Sequence, residues 1–476
     1  MIAGSNKMKS GALFHQHAES VLLKARPAAD AAAAADDKPA VRAVSHPLAF
    51  AGLFLFTLLL YVRPNELFPE VFGTFAFTKI VAILTLVVYI GGKLSAGERL
   101  TIWPIEMSML GLIVLIGIVL TPVAASPDAS IEMLSDTFFK VVVIFVLMIN
   151  LVDSRERLRL ILKLVVICGA GIAAGTIVKF AQGKFTSTIQ GIGVRVEGTV
   201  GGIFGNPNDL AMSLDLLLPL AIVLALTSKP AGRVFYLGCS LLLVMGVVVS
   251  FSRGGFLGLA AAGGVLLWKL GRHNKFTTAI AVLAACGVLA LSMPVGYTDR
   301  LFTILHSDKD TTGSAQERQG ELMRVLYVAS RHTIIGIGLA NYPVYSNHAI
   351  RAHNSFLELS AELGVAGLIA YLILIFAPLK RLKQIERETS RATNFRRREL
   401  HFLSAGVQAS IIGFLVCAVF SSAQYQWFLY YPVAYAVSLK RLHSFEGADD
   451  DNEAYHQTEE PVTTPGLLWK RPGVNS

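Results

Sequence analysis

The sequence is short of charge. Of its 476 residues only 16% are Asp, Glu, Lys or Arg, while 53% are hydrophobic and the mean hydropathy is +0.56. A soluble domain carries about 25% charged residues, so a soluble enzyme or a nucleic-acid-binding module is excluded as the main body. Cysteine is also scarce. Cys168, Cys239, Cys286 and Cys417 each sit inside an apolar block, and none has a CxxC neighbour. That pattern argues against a disulfide framework or a zinc site and leaves the thiols as packing residues. No apolar h-region lies near Met1, so a cleaved signal peptide is not expected.

What is present is a series of long apolar blocks, the mark of membrane-spanning helices. The blocks predict an all-α integral membrane protein with about twelve transmembrane helices. They are expected near 47–62, 75–92, 103–124, 132–152, 158–180, 208–227, 234–251, 255–270, 277–295, 363–379, 402–422 and 425–440. The tails over 1–46 and 441–476 are polar and read as disordered. Between the first nine spans (47–295) and the last three (363–440) lies a long loop, 296–362. Within it, Leu322, Val325, Leu326 and Ala329 recur at helical spacing with Arg318, Glu321 and Arg324 on other faces, which predicts an amphipathic helix over 315–331.

Lys and Arg set the orientation. With the N-terminus inside, the inner loops are "GKLSAGERL", "DSRERLR", "TSKPAGR", "KLGRHNK" and "LKRLKQIERETSRATNFRRRE", all basic. The outer loops "AASPDAS" and "SSAQYQ" have no Lys or Arg. Both termini are therefore expected in the cytoplasm, and the net charge of +9 is mostly inner-surface charge facing anionic lipid, not nucleic acid.

Three polar stretches fall on the outer side: 181–207, the tight turn "SFSRGG" and the long segment 296–362. "SFSRGG" sets Arg253 between two apolar blocks, where Gly254 and Gly255 permit a sharp turn; snorkelling to the headgroups is the structural alternative. "GNPNDL" reads as a turn and helix start capped by Asn208 or Asp209. Asp215 follows in that helix, and a carboxylate in a membrane is costly enough to mark a partner or pathway. The third stretch ends in the motif that opens "RAHNSFLELSAELGVAGLIAYLILI", which places Arg351, His353 and Asn354 before an apolar helix, with Asn354, Glu358 and Glu362 on one face. Histidine can take a proton near neutral pH, and arginine grips phosphate oxygens with paired hydrogen bonds. Asp308 and Asp310 in "SDKD" have a metal-binding spacing, but such a triplet is common in polar loops; no metal and no cofactor is expected.

In this order, "GTVGGIFGNPNDLAMSLDLLLPL", "SFSRGGFLGL", "GIGLANY" and "HNSFLELSAELGVAGLIAYL" resemble the O-antigen ligase and polymerase family of bacterial membrane glycosyltransferases. "YVRPNELFP" resembles the O-antigen ligase-like subgroup of exosortase-type loci. The resemblance covers roughly 60–440. It implies a multi-pass inner-membrane enzyme whose 296–362 loop is periplasmic. That enzyme transfers a glycan from an undecaprenyl-diphosphate carrier to a hydroxyl of lipid A core, a protein or another lipid-linked glycan. It further implies that Arg253 and Arg318 hold the diphosphate and that His353 activates the acceptor; the residues themselves add Arg351 as a further diphosphate ligand, with Asn354, Asn208 and Glu358 expected in support. A solute transporter is the alternative reading. It calls for internal repeats and polar residues at mid-membrane depth; no convincing repeat is visible, and Arg253 and His353 fall at the outer boundary.

Overall fold

Proline and short polar side chains set where the helices begin. A computed structural model describes residues 46–72, 77–185, 187–189, 192–271, 287, 297, 314–346, 350–392 and 394–458. Its helices are α1 (Pro47–Val62), α2 (Phe77–Ser95), α3 (Ile105–Leu120), α4 (Phe139–Leu151), α5 (Arg155–Ala181), α6 (Pro207–Leu226), α7 (Pro230–Val249), α8 (Arg253–Gly271), α9 (Ser314–Arg331), α10 (Ser355–Glu388), α11 (Phe395–Ala418) and α12 (Trp427–Thr458). A short antiparallel hairpin, β1 (Ser187–Ile189) and β2 (Ile192–Arg195), lies between α5 and α6. Pro47, Pro207 and Pro230 open α1, α6 and α7, where a missing N–H costs nothing. Ser154, Asn206, Asn354 and Asn394 cap α5, α6, α10 and α11 with side-chain oxygens.

Among the described residues ten helices are long and apolar enough to cross a membrane. The chain is an all-α, multi-pass membrane protein. The span expected at 277–295 lies, but for Gly287, outside the described residues, as do Asp308, Asp310 and Cys286. The amphipathic helix expected at 315–331 is α9. The last helix runs past 440 to Thr458, into the stretch read from sequence as a disordered tail. Residues 44–442 form one compact unit; the described part of the other unit is the helical stretch 443–458.

Helix α6 is the hub, buried along nearly its whole length between α5, α7, α8 and α11. Small residues let the neighbours approach: a Cβ on Gly169 would collide with Leu217, one on Gly246 with Leu214, one on Gly406 with Val223. Close backbone approach of this kind drives helix association where lipid removes the hydrophobic incentive.

The helix ends sort into two sets. At one end, ion pairs tie the helices together. Glu399 joins Arg159 (2.6 Å) and Arg155 (3.4 Å), and Arg381 donates to both oxygens of the fully buried Glu106 at 2.8 Å. Lys269 pairs with Glu386. This basic end carries the described Lys- and Arg-rich loops. The opposite end carries the hairpin, the α7–α8 turn, α9, residues 332–346 and 350–354, and the α11–α12 loop.

One break interrupts α10. Gly364 stands at φ +69 with ψ −174, so Ser355–Leu363 is a separate half-helix and the apolar span starts at Val365. The segment after α9 fills the break. Thr333 O accepts from Val365 N (2.7 Å), and Ile337 N and Gly338 N donate to the carbonyls of Ala361 and Glu362 (3.0 Å each). These carbonyls are the orphan acceptors of a helix terminus. Buried Asn341 pins the same segment to the α3–α4 connection through Ser126 and Ser130.

Candidate active site

The site is built from short turns at this second end. Between α7 and α8 the chain reverses through Phe251, at φ +54. The sequence assigned this turn to Gly254 and Gly255; instead a non-glycine residue takes the left-handed conformation, and the glycines serve packing. Gly254 would bring a Cβ to 3.2 Å from Phe420, and a Cβ on Gly255 would collide with Ala211. Ser252 then caps α8, accepting from Gly255 N at 3.1 Å, and Arg253 is the first helical residue.

The start of α6 also differs from expectation. Its cap is Asn206, whose Oδ1 accepts from Asn208 N at 2.8 Å. Pro207 fixes the first turn, so the cap falls one residue before it. Asn208 and Asp209 are thereby released from capping. Asn208 Oδ1 accepts from Arg195 Nη2 (2.7 Å) and from Ser252 Oγ (3.0 Å), and Asp209 Oδ1 accepts from Ser421 Oγ (2.7 Å). One side chain thus ties the hairpin, α6 and the Arg253 turn together.

His353 sits at φ +53, a left-handed position that a non-glycine residue holds only where its surroundings dictate it. The surroundings are plain. Its N–H donates to Ser422 Oγ at 3.0 Å, and that hydroxyl donates to Glu358. Glu358 also accepts from Ala352 N (2.8 Å) and Gln424 Nε2 (2.9 Å). Ser355 Oγ donates to Ser421 O and accepts from Ala423 N. Asn354 caps the half-helix, its Oδ1 accepting from Phe356 N and Leu357 N at 3.1 Å each. Arg351 Nη1 donates to Ser422 O at 3.3 Å and lies within electrostatic reach of Asp209.

A second layer steadies the half-helix from below. Glu362, fully buried, accepts from Tyr342 N (3.1 Å) and Tyr425 OH (2.7 Å), while Tyr342 OH donates to Glu321 on α9 (3.1 Å). Glu321 is paired in turn with Arg324.

Electrostatics also act on the histidine. Burial, and behind it the positive charges of Arg318, Arg195 and Arg351, hold the His353 imidazole below its ordinary value near 6.5; Glu321 opposes them. At neutral pH the ring is therefore the neutral base and not the cation. Arg318 and Arg351 both act on His353 electrostatically. Arg253 reaches this end through its neighbour Ser252 but is not among the groups acting most strongly on His353. Arg195, Ser421, Ser422 and Gln424 are members that sequence reasoning missed. Asp215 is not part of the cluster: it is buried between α6, α8 and α11, where Cys417 Sγ donates to it at 3.4 Å.

The stretch from α7 through the first part of α10, residues 238–372, matches the family model described as O-antigen ligase. These residues form an O-antigen ligase domain. The ligase domain contains Arg253, Arg318, Arg351, His353, Asn354 and Glu358, and it gives the chain a glycan-transfer role in polysaccharide biosynthesis at a membrane. Arg195 and the 421–424 loop contribute to the same site from outside the matched residues. No curated protein and no solved structure matches the chain.

Proposed function

We infer that this protein transfers a glycan from an undecaprenyl-diphosphate carrier to an acceptor hydroxyl at the periplasmic face of the inner membrane, with its basic end and both termini in the cytoplasm. The observation that carries this reading is the gathering of Arg318, Arg195 and Arg351 about a histidine whose proton affinity is lowered. A diphosphate leaving group develops negative charge as the glycosidic bond breaks. Fixed guanidinium groups stabilise that charge without reorganising. Arg253 completes the clamp from the α8 turn.

His353 takes the acceptor's O–H proton as the acceptor oxygen attacks the anomeric carbon. The bond from that carbon to the diphosphate oxygen breaks, and the lipid diphosphate departs with the electron pair. Permanent cations in the phosphate-binding role remove the need for a metal ion. Asn208 orients Arg195 and the Arg253 turn, and Glu358 with Ser422 sets the backbone of His353.

Purified protein in liposomes, supplied with lipid-diphosphate-linked glycan and candidate acceptors, tests the reading. Transfer that persists in EDTA is expected. A single added block on lipid A core or protein identifies a ligase, and a ladder of lipid-linked products a polymerase. Undiminished transfer by His353→Ala would overturn the assignment of the base.

A further inference from the structure

The other end of α9 borders an open cleft of about 760 Å³, lined by Val123 and Ala125 on one side and residues 330–337 with Tyr345 on the other. This lies thirteen residues along α9 from Arg318, about 20 Å at 1.5 Å per residue. Its lining residues include none of the groups that bond to or charge His353. The volume lies in the range of about 300–1,000 Å³ typical of small-molecule sites.

Its walls have two characters. Ile334 and Ile335 are exposed, Ile334 by 83%, as is Val123 by 68%. Isolated exposed apolar residues need no explanation, but these continue a larger surface. Thr333 O holds Val365 N, so Ile334 and Ile335 sit at the outer mouth of the α10 span, whose Val365 and Ile369 are exposed. Val123 likewise ends the span of α3, where Val119 is exposed. In a membrane-spanning bundle, acyl chains cover such a surface. The rim is polar and cationic. Arg331 stands over the Tyr327 ring, 5.4 Å from its centroid, and His332 Nε2 shares a hydrogen bond with Tyr345 OH at 3.0 Å. Exposed tyrosines with a cation, placed above an apolar band, mark the headgroup level of a bilayer.

We propose that this cleft is a binding site for one anionic glycerophospholipid of the outer leaflet, its phosphate on Arg331 and His332 and an acyl chain along Val123, Ile334 and Ile335. The bound lipid steadies the 333–338 segment, and through it the half-helix that ends in Glu362. It is a resident of the bilayer and not a substrate, because the cleft opens at the end of α9 away from Arg318 and none of its lining residues belongs to the His353 cluster.

Native mass spectrometry of the full-length protein from mild detergent tests this with phosphatidylglycerol and phosphatidylcholine as probes. Wild type is expected to retain one phosphatidylglycerol and to melt at higher temperature in its presence, with phosphatidylcholine retained far less. The double variant R331A/H332A should lose retention by about tenfold or more, as expected for removal of charge-assisted hydrogen bonds. Ile334→Asp, at an exposed position that the fold does not need, should lower it as well. His353→Ala should retain the lipid fully. Equal retention by R331A/H332A and wild type overturns the proposal. Equal retention of phosphatidylcholine does so too, and so does loss of the lipid only in His353→Ala.

Discussion

The backbone N–H of His353 and the carboxylate of Glu358 meet on a single hydroxyl, that of Ser422. The loop after α11 thus holds the histidine through its main chain and leaves the imidazole free for chemistry. Ser422→Ala removes the shared group and leaves the His353 N–H without its acceptor, while Glu358 Oε2 keeps only Ala352 N, a change worth about 1–3 kcal/mol. Transfer is expected to fall by about tenfold to a hundredfold, with donor affinity unchanged and partial recovery in Ser422→Thr. Steady-state rates and donor binding on the same preparations check this. Equal loss in Ser422→Thr and Ser422→Ala would show that the hydroxyl is not what matters.

The pH profile follows from the sign of the His353 shift. Its proton affinity is lowered, so the ring stays neutral down to pH values below its ordinary 6.5. The base is fully competent above that value, and kcat/KM should fall as pH drops through the depressed one. The residual rate of His353→Ala should lack this acid limb. An acid limb centred above 6.5 contradicts the arrangement of charges described here.

Arginine and histidine divide the labour differently. Arg253→Lys keeps the charge but loses the planar two-pronged geometry, so transfer should drop on the order of a hundredfold. Arg253→Ala should weaken donor binding, whereas His353→Ala should bind donor normally and fail at transfer. Donor affinities of the purified variants, with thermal melting as a control of folding, decide between the roles. If only His353→Ala loses donor, the histidine is a phosphate ligand.

Gly336 lies against the break in α10. A Cβ there would collide with the carbonyl group of Glu362, which is backbone and has little room to yield. Gly336→Ala is therefore expected to destabilise the protein by about 1–3 kcal/mol or more and to reduce transfer, although the residue carries no chemistry. Thermal melting beside Gly320→Ala, where a Cβ meets nothing, provides the comparison.

Topology is open to a direct test. Reporters fused within 228–233 and 384–398 should read cytoplasmic, and those within 332–346 periplasmic. A cytoplasmic reading for 332–346 would separate His353 from a lipid-linked donor presented outside.

Hydropathy made most of the fold legible. The bounds of α1 agree with the expected 47–62, and those of α6, α8 and α9 differ by at most two residues. The break at Gly364 was hidden because "ELGVAGL" continues into apolar residues without proline, and its cause lies in the distant 333–338 segment. The cap of α6 fell on Asn206 and not Asn208 because proline claimed the position between them. Arg195 looked like an ordinary loop residue until the fold brought it to Asn208. "SSAQYQ" was informative only for its lack of charge, yet its two serines and first glutamine bind Asp209, Glu358 and the His353 backbone. Interactions across 64 to 212 positions leave no local period in a sequence.

The interruption at Gly364 also bears on how the chain enters the bilayer. A continuous helix through this region would carry Glu358 and Glu362 on the same rod as the apolar residues that follow. A charged side chain at the centre of a span costs insertion about 2.5–3.5 kcal/mol. With the break, the segment handed to lipid begins at Val365, and both carboxylates find their hydrogen bonds from Tyr342, Gln424, Tyr425 and Ser422 outside it. The acidic half-helix can therefore be assembled last, docking onto a bundle already inserted.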